Sequence, residues 1–216
     1  VRVLPPLPIE FYFSNLYFMT TLTLETLQNH RLSDQLNLSD IVVILNLKRF
    51  YTDIDYLLTL LAEDEIARAK GYVVQTSKNH FIVSRALLRV VLADILGQSP
   101  KDILFKKNND GKPFIKNSPV TFNISHSGEY CVMAFSRHAE VGIDIEHIKP
   151  IKNMQAIVNR FFSQKEKDWI FSQPQEQFEE HFYSIWTAKE AIAKAMGIGI
   201  WKSLSLFSVI MNHNSY

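Results

Sequence analysis

Two hydrophobic patterns alternate along the chain. Ile41 to Leu47 (IVVILNL) is β-branched and continuous enough for a buried strand. A helical stretch is predicted from Ala62 to Gly71 and a longer helix from Ser77 to Leu96. In the longer one Phe81, Ala86, Leu88, Val91, Leu92 and Ile95 recur at helical spacing before Gly97 and Pro100 end the run. Short strands follow: FKKNNDGKPFI turning around Asp110 and Gly111, then VTFNIS, YCVMAFS and VGIDIE. Helical periodicity returns from Met154 to Phe171 and from Phe178 to Met196, closed by Gly197 and Gly199, with a final strand near Leu204 to Met211. Residues 1–40, proline-rich at first and without a stable period, read as a strand or two and loop.

The order of elements repeats at a shift of 101 positions. His80-Phe81 falls on His181-Phe182, Glu65 on Glu166 and IVVILNL on GIDIEHI, and the helix ending at Gly97 overlies the one ending near Gly197. The expected fold class is therefore α+β, a pseudo-twofold duplication of two similar α+β halves. The expected organisation is an N-terminal extension with the first strands (1–40), a first half (41–116) and a second half (117–216). Between the copies, Val43 becomes Asp144, Leu45 becomes Glu146 and Arg89 becomes Glu190. Carboxylates that occur in one copy of a shared scaffold read as a site kept once in a pseudo-dimer.

Composition narrows the classes. Apolar residues make up 47% of the 216, enough for a real core, and a net charge of +1 excludes nucleic-acid binding by bulk charge. Cys131 is the only cysteine, so no internal disulfide forms. A reducing compartment, the cytoplasm, is the expected setting, with Cys131 packed as a small hydrophobe. No apolar run approaches a membrane span of roughly 18 residues, and the first residues lack the basic start of a signal peptide.

In VGIDIE, Asp144 and Glu146 project on one face while Val141, Ile143 and Ile145 take the other, about 7 Å separating the two acidic Cα atoms. They form either a polar face turned to water or a pair of hard oxygen ligands suited to magnesium. In WTAKEAIAK, Ala188, Ala191, Ile192, Ala195 and Met196 make a packed stripe, and Trp186, Glu190 and Lys194 make another on the opposite face. An indole beside Glu190 and Lys194 suggests a covered face or a cleft rather than an ordinary exposed ion pair. Lys189 lies to the side of that stripe, reaching the same ligand or solvent. Lys112 follows a tight turn, and Ser125 with His126 ends a strand. Ser163 and Glu166 have capping-box spacing, which favours a structural role for Glu166.

Taken together, GKPFI, FNISHS, VGIDIE, RFFSQKE and WTAKEAIAK resemble, in order and spacing, the 4'-phosphopantetheinyl transferases of the monomeric, surfactin-synthetase-activating class, over roughly Ile41 to Met211. That resemblance implies a site between the two halves. Asp144, Glu146 and Glu190 would hold Mg2+ with the diphosphate of coenzyme A, and Lys194 would contact that diphosphate, with Lys189 adding to it. Lys112, Ser125 and His126 would line the adenosine and phosphate part of the pocket, and Arg68 would approach the 3'-phosphate. Glu190, or a metal-polarised water, would take the proton of a serine on an apo carrier protein, with Lys194 as the other catalytic group. The carrier would dock between Lys152 and Gln177, and the enzyme would be a monomer needing neither nucleic acid nor membrane. His80 and Glu65 depart from positions that are often basic in relatives, which implies a weaker hold on coenzyme A. Two rival readings share these residues: a magnesium-dependent phosphohydrolase of coenzyme A or nucleotides, and a non-catalytic module that binds coenzyme A or a carrier.

Overall fold

The structure is a computed structural model, and it describes residues 2–3, 16–19, 32–199, 204 and 207–209. Its central sheet has the order β2-β3-β7-β6, formed by Leu16–Met19 (β2), Asp40–Asn46 (β3), Tyr130–Ser136 (β7) and Thr121–Ser127 (β6). Strand β2 runs parallel to β3, which pairs antiparallel with β7, and a tight hairpin joins β6 to β7. The sheet thus draws strands from both sides of the expected boundary near residue 116. Two smaller ladders flank it: β1 (Arg2–Val3) parallel to β8 (Val141–Gly142), and the hairpin of β4 (Phe105–Lys107) with β5 (Pro113–Ile115).

The apolar run of β3 is explained by a core on each side of the sheet. Ile41, Val43 and Leu45 join Met133, Phe135 and the buried stripe of the long helix Gln75–Leu96. Val42 and, half-buried, Ile44 face a second cluster with Val132, Ala134, Val141 and Ile143. Cys131 is buried and free, with its thiol pKa pushed up by burial.

Helices appear in chain order as α1 (Leu32–Leu38), α2 (Ile54–Thr59), α3 (Glu63–Lys70), α4 (Gln75–Leu96), α5 (Met154–Phe161), α6 (Gln164–Ser172) and α7 (Phe178–Met196). The mixed helix-and-sheet class matches the sequence reading, as do β3, α3, α4, the hairpins and α7. The short helices α1 and α2 were not expected. The helix expected from Met154 to Phe171 is two, because Phe162 is extended and Ser163 caps a new start, its hydroxyl accepting from the Glu166 N–H. Only the first two residues of VGIDIE are in a ladder, since the Ile143 N–H donates to Asn123 Oδ1 at 2.9 Å instead of to a strand. The final strand near Leu204 to Met211 falls largely outside the described residues, and Phe207–Val209 form no strand.

The repeat has a structural counterpart in its details. Gly97 and Gly197 both end their helices in the left-handed region, at φ of 66° and 67°, and the next residue of each donates back to Ala93 and Ala193 respectively. In α3 the buried Glu65 accepts from the Ala62 N–H at 3.0 Å, and in α6 the buried Glu166 accepts from the Ser163 N–H at 2.6 Å, each three residues back. Each of these glutamates is paired with a cation from the following long helix, Arg89 in α4 and Lys189 in α7.

Strand β8 lies against α7 so closely that a Cβ on Gly142 would stand 1.9 Å from Ala191 O and 2.4 Å from Ala195 N. Both obstacles are helix backbone, so α7 or the strand must shift. Gly142→Ala is expected to cost roughly 1–3 kcal/mol, read as a lower urea midpoint at unchanged m value.

Candidate functional site

The floor of the site is β6, whose alternation sends Ser125 and Ser127 to one face and Ile124 and His126 to the other. Facing the serines is the chain after β8. Ser125 Oγ donates to Asp144 Oδ1 at 2.7 Å, and Ser127 Oγ donates to Glu146 Oε2 at 2.9 Å while accepting from the His147 N–H at 3.0 Å. The expected co-facing of Asp144 and Glu146 therefore holds through matched spacings on two segments. Their environments differ: Asp144 is buried and Glu146 exposed. Ser127 and Asn123 were not singled out in the sequence, although their offset of two from Ser125 was a usable signal.

Helix α7 brings the third acid. Lys194 Nζ donates to Ser125 Oγ at 2.9 Å, pairs with Asp144 Oδ1, and stands 3.9 Å from Glu190 Oε2. Burial, and then the charge of Asp144, push the Glu190 pKa up to about 7. Lys194 and a Trp186 hydrogen bond pull it down, and Glu146 adds to the rise. The stripe of Trp186, Glu190 and Lys194 is thus a half-buried face as expected. The opposite stripe is shorter than expected, since Met196 is exposed and Ile192 only half-buried near the helix end.

These groups fit a hard divalent cation. Asp144 Oδ2 is buried without a hydrogen-bond partner among the described residues, and the donors are carboxylate oxygens whose charges oppose one another. Among the described residues no three acidic, histidine or cysteine side chains gather tightly enough to enclose an ion by themselves. Such an open, partial set suits magnesium, which keeps waters and substrate phosphates in its shell.

On the other side of β6 lies a cleft of about 310 Å³ whose lining includes Arg68, Tyr72, His80, Phe81, Arg85 and His126. The Arg68 guanidinium lies 4.9 Å from the Phe81 ring centre, and Tyr72 meets Phe81 at 5.5 Å. Arg68 and His126 are brought together as expected. Ser125 is not with them, because adjacent strand residues face opposite ways, and it joins Asp144 and Lys194 instead. A larger cavity of about 620 Å³, between Tyr56 and Leu60 and the end of α4, holds none of the expected site residues.

Two further expectations need correction. Lys112 does not line the cleft; its Nζ is held by Glu140 Oε2 at 2.8 Å and Ala195 O at 3.1 Å, which ties the β4–β5 hairpin to the end of α7. Lys189 joins neither the Asp144–Lys194 pair nor solvent. It is wholly buried, bound to both oxygens of Glu166 at 2.9 and 3.0 Å and to Phe207 O at 2.7 Å, because its position on α7 faces α6. Glu65 is buried, and Arg89 and Arg85 neutralise it at 2.7 and 3.3 Å.

Residues 140–215 match the 4'-phosphopantetheinyl transferase superfamily, and residues 49–138 match the N-terminal region of 4'-phosphopantetheinyl transferases. The chain belongs to the 4'-phosphopantetheinyl transferase family. It is 34% identical over 162 residues to the 4'-phosphopantetheinyl transferase psf-1 of Bacillus pumilus, covering 74% of this chain and 68% of that protein. Against HetI of Nostoc sp. it is 34% identical over 150 residues, 68% of this chain and 63% of the relative. Against Sfp of Bacillus subtilis it is 29% identical over 158 residues, 73% and 69% of the two chains. The matched part thus spans somewhat less than two thirds of HetI. Among the described residues no helix is long and apolar enough to cross a membrane.

Proposed function

We propose that this protein transfers the 4'-phosphopantetheine arm of coenzyme A to a serine hydroxyl of an apo carrier protein, with magnesium, releasing adenosine 3',5'-bisphosphate. The observation that carries this reading is the meeting of Asp144 and Lys194 at Ser125, with Glu190 3.9 Å from Lys194 Nζ, one strand's thickness from a cationic, aromatic cleft. A diphosphate needs divalent charge on one side and its nucleoside needs a shelf on the other. The family membership supplies the reaction class. Repeated halves, 41–116 and 117–216 after an extension of 1–40, allow one chain to act as a monomer, and the lone Cys131 suits the cytoplasm.

Asp144, Glu146 and Glu190 would hold the magnesium, which when bound supplies positive charge beside the diphosphate. Lys194 lies where a second positive charge offsets the charge that gathers on the departing phosphate. The carrier serine is a weak nucleophile, and Glu190 would take its proton. The serine oxygen then bonds to the β-phosphorus as the bridging bond to the α-phosphate breaks, and the freed bisphosphate carries away the displaced charge. Exposed residues from Lys152 to Gln177 would receive the carrier.

Incubation with coenzyme A, magnesium and an apo carrier tests the reading by intact mass. The carrier should gain the mass of one phosphopantetheine arm. Phosphate release without a carrier would mark a hydrolase, and coenzyme binding with an unchanged carrier would mark a binding module; either sinks the proposal.

Glu190→Gln separates chemistry from stability. The folded pKa of Glu190 lies near 7 against 4.5 for a free glutamate, so its charge destabilises the metal-free fold. That penalty is absent well below pH 4.5, grows between the two values and is complete above pH 7. The variant should lose transfer activity yet be more stable by roughly 1–3 kcal/mol above neutrality. Thermal melts in chelator at pH 8 and pH 4 read the difference, and the gain should vanish at the lower pH.

A further inference from the structure

The aromatic and cationic cleft contains polar atoms that the fold leaves unused. Nε2 of His80 and Nη1 of Arg85 are both buried without a hydrogen-bond partner among the described residues, and both residues line the cleft. Arg85 already spends its other contacts on Glu65 at 3.3 Å and on the Phe105 ring at 4.9 Å. The Arg68 guanidinium carbon stands 4.9 Å from the centre of the Phe81 ring. Two guanidinium groups and two imidazoles around a space of about 310 Å³ match a phosphate monoester, and the Tyr72 and Phe81 rings match the face of a nucleobase.

The surroundings of His80 define its resting state. Tyr51 packs against it at 6.0 Å from one side, and His126 faces it from β6. Lys48, Arg68 and Arg85 add positive charge, and Glu129, paired with Lys48, is the acidic group that acts on it. Burial first and the His126 charge second lower the His80 pKa, which favours the neutral imidazole in the free cleft. A dianion seated against that ring reverses the balance and favours the protonated form.

We propose that His80 is a proton-coupled phosphate sensor: entry of the 3'-phosphate of coenzyme A into this cleft draws a proton onto the His80 imidazole, which then donates from Nε2 to the phosphate. This rests on the coenzyme A reading above and goes beyond it in making recognition of the terminal phosphate dependent on pH. The proton comes from solvent and no covalent bond changes. Selectivity for coenzyme A over 3'-dephospho-coenzyme A therefore falls as pH rises.

Titration calorimetry of the full chain in buffers of different ionisation enthalpy measures the linked proton directly. At pH 7 coenzyme A should take up more protons than 3'-dephospho-coenzyme A, and the ratio of their affinities should grow about tenfold from pH 8 to pH 6. Subtracting the dephospho ligand removes any proton exchanged at the diphosphate end. In H80Q the excess uptake should disappear. H80R, which carries a fixed charge in a side chain able to reach the same phosphate, should keep the preference for coenzyme A but lose its pH dependence. Any proton the phosphate itself sheds has the opposite sign and persists in both variants. Equal uptake for the two ligands, or an excess unchanged in both variants, overturns the sensor while leaving the coenzyme A reading intact. No binding of either ligand overturns both.

Discussion

Asp144→Asn should lower carrier modification about a thousandfold, equivalent to about 4 kcal/mol of transition-state stabilisation. The substitution keeps the shape of the side chain and an oxygen for Ser125, whose hydroxyl now donates to Oδ1 at 2.7 Å. What it removes is the negative charge that pairs with Lys194 and the buried Oδ2, which has no hydrogen-bond partner among the described residues. An unpaired buried carboxylate oxygen is costly in a resting fold, so its persistence points to a ligand rather than to stability. The melting temperature should accordingly move by only a few degrees, and the circular dichroism spectrum should be unchanged. Transfer at near-normal rate by a folded Asp144→Asn protein would remove the proposed engine of the reaction.

Much of this site was legible because it depends on short-range periodicity. Alternation in VGIDIE and a spacing of four in WTAKEAIAK bring out Asp144, Glu146, Glu190 and Lys194 without tertiary information. The comparison of the two halves set these acids apart, although the structure makes Lys189 and not Glu190 the counterpart of Arg89, since each pairs with the buried glutamate of the preceding helix. Periodicity does not say which element covers a face, and the errors follow from that gap. Ser125 and His126 were grouped because they are neighbours in sequence, yet a pleated strand sends them to different chambers. Lys112 follows a turn that looks solvent-exposed, but its ammonium caps the end of α7 through Ala195 O. The break at Phe162 was hidden because Met154 to Phe171 stays apolar at helical spacing on both sides of the Ser163 cap.

Lys189 is the sharpest such case, and Lys189→Met should destabilise the fold by about 3–5 kcal/mol, the range for stranding one partner of a buried ion pair. Both side chains of the Lys189–Glu166 pair have no exposed surface. Glu166 also collects the N–H groups of Ser163 at 2.6 Å and Val209 at 2.7 Å, while Lys189 reaches Phe207 O. One carboxylate thus joins the start of α6, the middle of α7 and a segment beyond α7. Burial lowers the lysine pKa and Glu166 opposes that shift, so the charged form depends on its partner. The Glu65–Arg89 pair does the same work between α3 and α4, which argues that both are fastenings of the repeated scaffold and not parts of the chemistry. The double variant Glu166→Gln with Lys189→Met separates the two explanations. If the loss comes from a stranded charge, removing that charge should recover more than half of it in urea unfolding, with carrier modification recovering alongside. If Lys189 instead contacts the diphosphate, the double variant should regain stability and remain inactive, and the structural assignment fails.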